Sequence, residues 1–284
     1  MATRPRGPRA RPLRRAVQLA SLVAANLHLS GWVNGSIYTG ASKAFCIPGL
    51  HCYSCPSSVL ACPLGSMQSL LSGRGFVAGI TSLSPAFLIF VGVLGFVMLP
   101  GFVAGRIACA YVCPFGLLQE LLFRLTGRLE LRPPPTLSRA RFVFLGLFVL
   151  VLPLLSCPGQ GEQWFCKVVC PAGTALAGWP LVALNGPAVF SLGFLFAWKS
   201  AAAVAFLCWS AVTRRAFCRF VCPLGAIWGL AGRISVYRIS VDEDLCIACG
   251  RCGEVCPMGV RIDLTPESTQ CIRCGECIPA CPVS

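Results

Sequence analysis

The chain has 284 residues, 56% of them hydrophobic and only 12% charged, with a mean hydropathy of +0.73, which is too apolar for a soluble domain and places it in a lipid bilayer. Its 20 cysteines imply a disulfide scaffold or metal ligation, and because disulfide scaffolds are usually small, polar and secreted, ligation is the better reading. The formal charge of +14 would suit nucleic acid, but the arginines flank apolar spans as the positive-inside rule requires, so no nucleic-acid partner is expected.

Residues 1–15 form a basic segment carrying Arg4, Arg6, Arg9, Arg11, Arg14 and Arg15. It could be mistaken for the start of a signal peptide, but no convincing small-residue cleavage site follows, so it is read as the cytoplasmic lead into an anchor. A hydrocarbon core of about 30 Å needs about 20 helical residues, and four stretches reach or approach that length, at about 16–34, 85–105, 140–157 and 187–212. Arg106, Arg124, Arg128, Arg132, Arg139 and Arg141 flank the second connection, and Arg214, Arg215 and Arg219 follow the fourth span. This bias puts those segments and both termini on the cytoplasmic side of the inner membrane, and the loops at about 35–84 and 158–186 outside. The expected fold is an all-α, multi-pass membrane domain over 16–235.

An internal repeat organises that domain. CAYVCPFG at 109–116, CKVVCPAG at 166–173 and CRFVCPLG at 218–225 share one pattern, with a shorter ACPLG at 61–65. Cys62 and Cys113 are 51 positions apart, and Cys170 and Cys222 are 52 apart. The four spans therefore read as two halves of two, packed about an axis along the membrane normal, with outer cysteines meeting outer and inner meeting inner. Cys-x-x-x-Cys-Pro sets two thiols one helical turn apart on one face. The inner candidates are Cys109, Cys113, Cys218 and Cys222, beside Arg106, Arg214 and Arg219, whose charge favours thiolates; the alternative is that they merely pack at helix ends. The outer candidates are Cys55, Cys62, Cys166 and Cys170, for which disulfides are an equal alternative on an oxidising face. About 30 Å of hydrocarbon would separate the two groups, so a path between them would need an intermediate carrier. Lys199 falls inside the fourth span, where a charge is costly and points to function, as a quinone contact or as the counter-charge of a metal cluster.

After Arg238 the composition changes, and most of the chain's few acids fall in a tail, residues 236–284. It reads CIACGRCGEVCP at 246–257 and CIRCGECIPACP at 271–282, two Cys-x-x-Cys-x-x-Cys-x-x-x-Cys-Pro runs. Three close thiolates of each run wrap one cubane and the fourth reaches the other. Cys246, Cys249, Cys252 and Cys281 are assigned to one [4Fe-4S] cluster, and Cys271, Cys274, Cys277 and Cys256 to the second. Paired zinc sites are the alternative for eight such thiolates.

With CAYVCPFG and CRFVCPLG at the ends of two spans and the paired cluster runs behind them, the chain resembles the polytopic ferredoxin-type membrane proteins typified by NapH and by the membrane-bound C-terminal part of NosR. CIPGLHCYSCPSSVLACPLG and CKVVCPAG depart from that pattern. The resemblance implies a quinol-linked electron carrier serving anaerobic respiration. The expected function is electron transfer between a quinone pool or membrane partner and a redox partner protein, with two [4Fe-4S] clusters, a further cluster in the membrane domain and quinone as the candidate cofactors. No small-substrate chemistry is evident beyond a quinol dehydrogenase activity. Two other classes stay open: a carrier moving reducing equivalents outward through thiol-disulfide exchange, and a redox-sensing or assembly protein without turnover.

Overall fold

The computed structural model describes residues 10–72, 83–126, 130–131, 133–156, 162–186 and 193–283. Arg4, Arg6, Arg9, Arg128, Arg132, Cys157 and the first residues of the expected 187–212 span lie outside them. The described residues are helical, with one isolated backbone bridge, between Cys46 and Ala61, and no strand.

The first expected span, 16–34, is broken. Helix α1 (Ala10–Ala25) has 16 residues, roughly 24 Å at 1.5 Å per residue and short of the hydrocarbon thickness. The chain leaves it at Asn26, whose side-chain amide turns back to donate to the Leu22 carbonyl at 2.8 Å. Such competition for backbone partners is why Asn ends helices. Only a five-residue helix follows, α2 (Ser30–Asn34). Helix α1 buries Arg14 and Gln18 while exposing Leu13, Leu19 and Val23. Its polar face is thus turned to the protein and its apolar face outward.

The loop that follows is not an outlying one. Ile47 donates to the Ala61 carbonyl at 3.0 Å and Ala61 to that of Phe45 at 2.9 Å, closing its neck. It leads into α3 (Pro63–Leu71), and Leu50, Leu64 and Met67 join one core with Phe115, Phe165 and Phe217. Irregular backbone enters a membrane protein where protein covers its polar groups, as it does here.

Helix α4 (Pro85–Ala104) starts with Pro85 in its first turn and Ser84 Oγ accepting from Phe87 N–H at 3.4 Å, both favourable N-terminal features. Two short helices follow, α5 (Ile107–Tyr111) and α6 (Pro114–Thr126). A helical segment α7 (Pro135–Leu155) comes next, then a π-helical turn at Phe165–Val169 and a helical stretch α8 over 171–185. Helices α9 (Phe194–Val212), α10 (Ala216–Phe220) and α11 (Pro223–Ala231) complete the bundle. Among the described residues three stretches are long and apolar enough to cross a membrane: Phe87–Ala104, Pro135–Leu155 and Phe194–Val212. Leu88, Ile89 and Leu99 on α4, Val143 on α7 and Leu195 and Val204 on α9 are exposed, an apolar belt suited to lipid.

Packing is exchanged between the halves. Helix α4 lies against α11, and α9 against α6, so each span leans on the helix that follows the other. The C-terminal tail, whose only helix among the described residues is α12 (Arg251–Val255), continues this core through Met258, Val260, Ile272 and Cys274. Buried arginines hold it there. Arg14 pairs with Glu276 at 2.8 Å, Arg141 donates to Thr269 Oγ1 at 2.6 Å, and Arg273 donates to the Gly232 carbonyl at 2.6 Å. Arg106 reaches the carbonyls of Thr269 and Gln270 at 3.2 and 3.3 Å.

Candidate functional site

Cys-Pro-x-Gly occurs at 62–65, 113–116, 170–173 and 222–225. Proline has no N–H to give and its fixed φ suits a first helical turn. The cysteine is therefore left just before the helix in extended backbone, with ψ of 124° at Cys62 and 114° at Cys170 and Cys222. A sulfur so placed can accept the N–H groups of the turn, although burial outweighs these donors and raises the thiols of Cys62 and Cys222. Cys62 receives the backbone N–H groups of Leu64 and Gly65, and Cys222 that of Gly225.

The inner cysteines come together. Cys222 lies within electrostatic range of Cys218, Cys109 and Cys113, and Cys113 within range of Cys218 and Cys109; all four are buried. Burial first, then the neighbouring thiols, pushes the Cys113 pKa up to about 12. The two halves exchange supports. Arg106 donates to the Cys218 carbonyl at 2.9 Å, and Arg215 to the Cys109 carbonyl at 2.7 Å. Gln119 donates to Cys218 Sγ at 3.0 Å while its carbonyl accepts Phe217 N–H at 3.0 Å.

On the other side of this core, Cys166 faces Cys170, Cys62 and Cys52, and Cys170 faces Cys62 and Cys52. Cys55 is turned away. Its thiol lies near Asn26 Oδ1 and the Leu176 carbonyl, at 3.7 and 3.8 Å. Cys52, rather than Cys55, is the loop cysteine within electrostatic range of Cys166 and Cys170, the chain turning between the two with Cys55 N–H donating to the Cys52 carbonyl at 3.1 Å. Lys199 lies beside the same group, facing Cys52. The lone Cys208 is exposed on α9.

In the tail, Cys277 faces Cys256, Cys271 and Cys252, and Cys274 faces Cys256. These cysteines line one small cavity with Ile239, Val260 and Ile272. The two runs fold alike. Ala248 and Arg273 share a φ of 52°, and Gly250 and Gly275 have φ of 71° and 72°, a left-handed turn that glycine adopts without strain. Cys249 and Cys252 face Arg261, which pairs with Asp263. Among the described residues no three His, Cys, Asp or Glu side chains close on one metal-ion position. Arg215 pairs with Glu120 at 2.7 Å and lies within electrostatic range of Cys218 in the bundle and Cys274 in the tail.

Residues 85–133 and 193–241 match a family described as a 4Fe-4S binding domain, and 239–262 match a second 4Fe-4S binding domain. The methylamine utilization ferredoxin-type protein MauN of Methylobacillus flagellatus is 32% identical over 69% of this chain and 60% of its own length. The ferredoxin-type protein NapH of Haemophilus influenzae is 28% identical over 86% of this chain and 73% of its own. By these matches the chain is similar to ferredoxin-type proteins. An uncharacterized protein of Methanocaldococcus jannaschii is 27% identical over 57% of this chain and 55% of its own length. The chain thus spans between about half and two thirds of the length of several of these relatives. No solved structure matches it.

The two matched segments, 85–133 and 193–241, each contain one inner cysteine pair, and neither contains an outer one. Motif reading passed over Gln68, Gln119 and Cys52. A glutamine carries no motif signal alone, but Gln68 and Gln119 stand 51 positions apart, the spacing of Cys62 and Cys113. That periodicity was the available clue.

Proposed function

We propose that this iron-sulfur electron-transfer protein carries electrons between a quinone pool or membrane partner and a redox partner protein on the cytoplasmic face. Cys246, Cys249, Cys252 and Cys281 would hold one tail cluster, Cys271, Cys274, Cys277 and Cys256 the second, and Cys109, Cys113, Cys218 and Cys222 a third in the membrane domain. Bound clusters supply one-electron chemistry at thiolate-held iron. The chain's own residues exclude water from the inner thiols, orient them through Arg106, Arg215 and Gln119, and hold the second tail group against the bundle through Arg14, Arg141 and Arg273.

The observation that carries this reading is the gathering of four buried cysteines from both halves, with Arg215 within electrostatic range of one of them and of Cys274 of the tail. The two Cys-x-x-x-Cys-Pro halves, a 2+2 span repeat, basic residues on the cytoplasmic side and a tail beginning near residue 236 form the architecture that goes with it. Anaerobic mixing of the full-length protein in detergent with a reduced quinol tests the proposal: rapid bleaching of iron-sulfur absorbance supports it, and clusters reducible only by dithionite contradict the quinol link.

A further inference from the structure

We propose that Cys52, Cys62, Cys166 and Cys170 bind a further [4Fe-4S] cluster, with Lys199 as its counter-charge. This deepens the electron-transfer reading above and rests on it.

The group copies the inner site part by part. Cys62 stands where Cys113 does, 51 positions earlier, and Cys166 and Cys170 stand 52 positions before Cys218 and Cys222. Gln68 donates to Cys166 Sγ at 3.6 Å and accepts Phe165 N–H at 2.9 Å, as Gln119 does with Cys218 and Phe217. Both glutamines also donate to the backbone carbonyl four residues before them, Leu64 and Phe115, at 3.1 and 3.3 Å. The fourth ligand position differs. Cys109 corresponds to Ser58, which is buried with its hydroxyl spent on the Leu60 carbonyl at 2.7 Å. The loop supplies a thiol from elsewhere: Cys52 lies against the start of α8, where a Cβ on Gly173 would come 3.1 Å from its Sγ. A second sulfur meets a glycine of the same motif, since a Cβ on Gly65 would come 4.0 Å from Cys166 Sγ.

Charge fits as well. Four thiolates on a cubane leave excess negative charge that a low-dielectric interior penalises. The inner site has Arg106 and Arg215 beside it. Here Lys199 takes that part, 4.0 Å from the same Gly173 Cβ position, and among the described residues no carboxylate pairs with it.

The test uses full-length protein purified anaerobically, with iron and acid-labile sulfide counted per chain. Cys52→Ala and Cys170→Ala should each lose about four iron and four sulfide, while Cys55→Ala loses none. Loss in Cys55→Ala with full retention in Cys52→Ala would overturn the ligand set. Zinc in place of iron, or a disulfide among the four in the unreduced protein by mass spectrometry, would overturn the cluster. If Cys52→Ala does not fold, Gln68→Glu keeps the acceptor for Phe165 and removes the N–H donor; it should lower the midpoint potential of one centre with iron unchanged, and an unshifted potential counts against the site. Cys113→Ala separates this proposal from the reading beneath it: full iron there, with loss in Cys52→Ala, removes the inner centre and leaves the outer one standing.

Discussion

The backbone N–H of Leu50 donates to Cys113 Sγ at 3.4 Å in a fully buried contact, so a loop expected outside the membrane touches an inner cysteine. The next residue, His51, gives its backbone N–H to Cys62, and the one after it, Cys52, lies in the outer group. Three extended residues span at most about 11 Å. That is well short of the roughly 30 Å of hydrocarbon expected to divide the two groups.

Gln119 is the first residue to test. Gln119→Leu removes a donor to Cys218 Sγ and orphans the buried Phe217 N–H. Stability should fall by about 1–3 kcal/mol, and the midpoint potential of a single centre should drop, since a lost hydrogen bond to sulfur disfavours the reduced state. Denaturant melts and an EPR-monitored titration read the two effects; a stability loss with every potential unmoved would remove Gln119 from the site.

Docking of the tail is tested at Gly105. Its backbone sits at φ 60°, ψ −125°, and a Cβ there would come 2.2 Å from Arg273 Nη1. Gly105→Ala should cost about 1–3 kcal/mol through backbone strain and displace Arg273 from the Gly232 carbonyl. Limited proteolysis between Ser240 and Leu245 should accelerate several-fold, and an unchanged cleavage rate would mean that Arg273 does not hold the tail.

Much of this arrangement was legible in the sequence, and the failures have physical causes. The two tail cysteine runs and the Cys-Pro corners are local patterns, the corners set by the missing N–H of proline, so they can be read without a structure. The broken first span was not legible, because hydropathy averages over Asn26 to Leu29 and does not see Asn26 bonding back to Leu22. Choosing Cys52 over Cys55 depends on how a loop reverses, and burial of the 41–72 segment depends on the helices that cover it. Both are tertiary facts that no local window contains.

Topology is open to direct measurement. Reporters fused after Thr126 and after Ser284 should be cytoplasmic, and one inserted at Glu162 external, because the arginines cluster at the tail-facing end of the bundle. Accessibility labelling of intact cells reads this. A tail on the outer face would reverse the direction of contact with soluble partners.

The tail ligand sets have their own test. Cys274→Ser should abolish one tail centre and cost the full-length protein about four iron per chain, because Cys274 is buried and faces Cys256 within the cysteine-lined cavity. Cys208→Ser, on the exposed face of α9, should cost none. Equal iron in both variants would break the assignment.

The most direct test of the central claim is an EPR-monitored redox titration of anaerobically purified full-length protein, run beside Cys113→Ala. The account predicts iron-sulfur signals from the tail in both, and in the wild type an additional centre that Cys113→Ala lacks. A wild type holding zinc without iron-sulfur signals, or a Cys113→Ala spectrum identical to the wild type's, would contradict it.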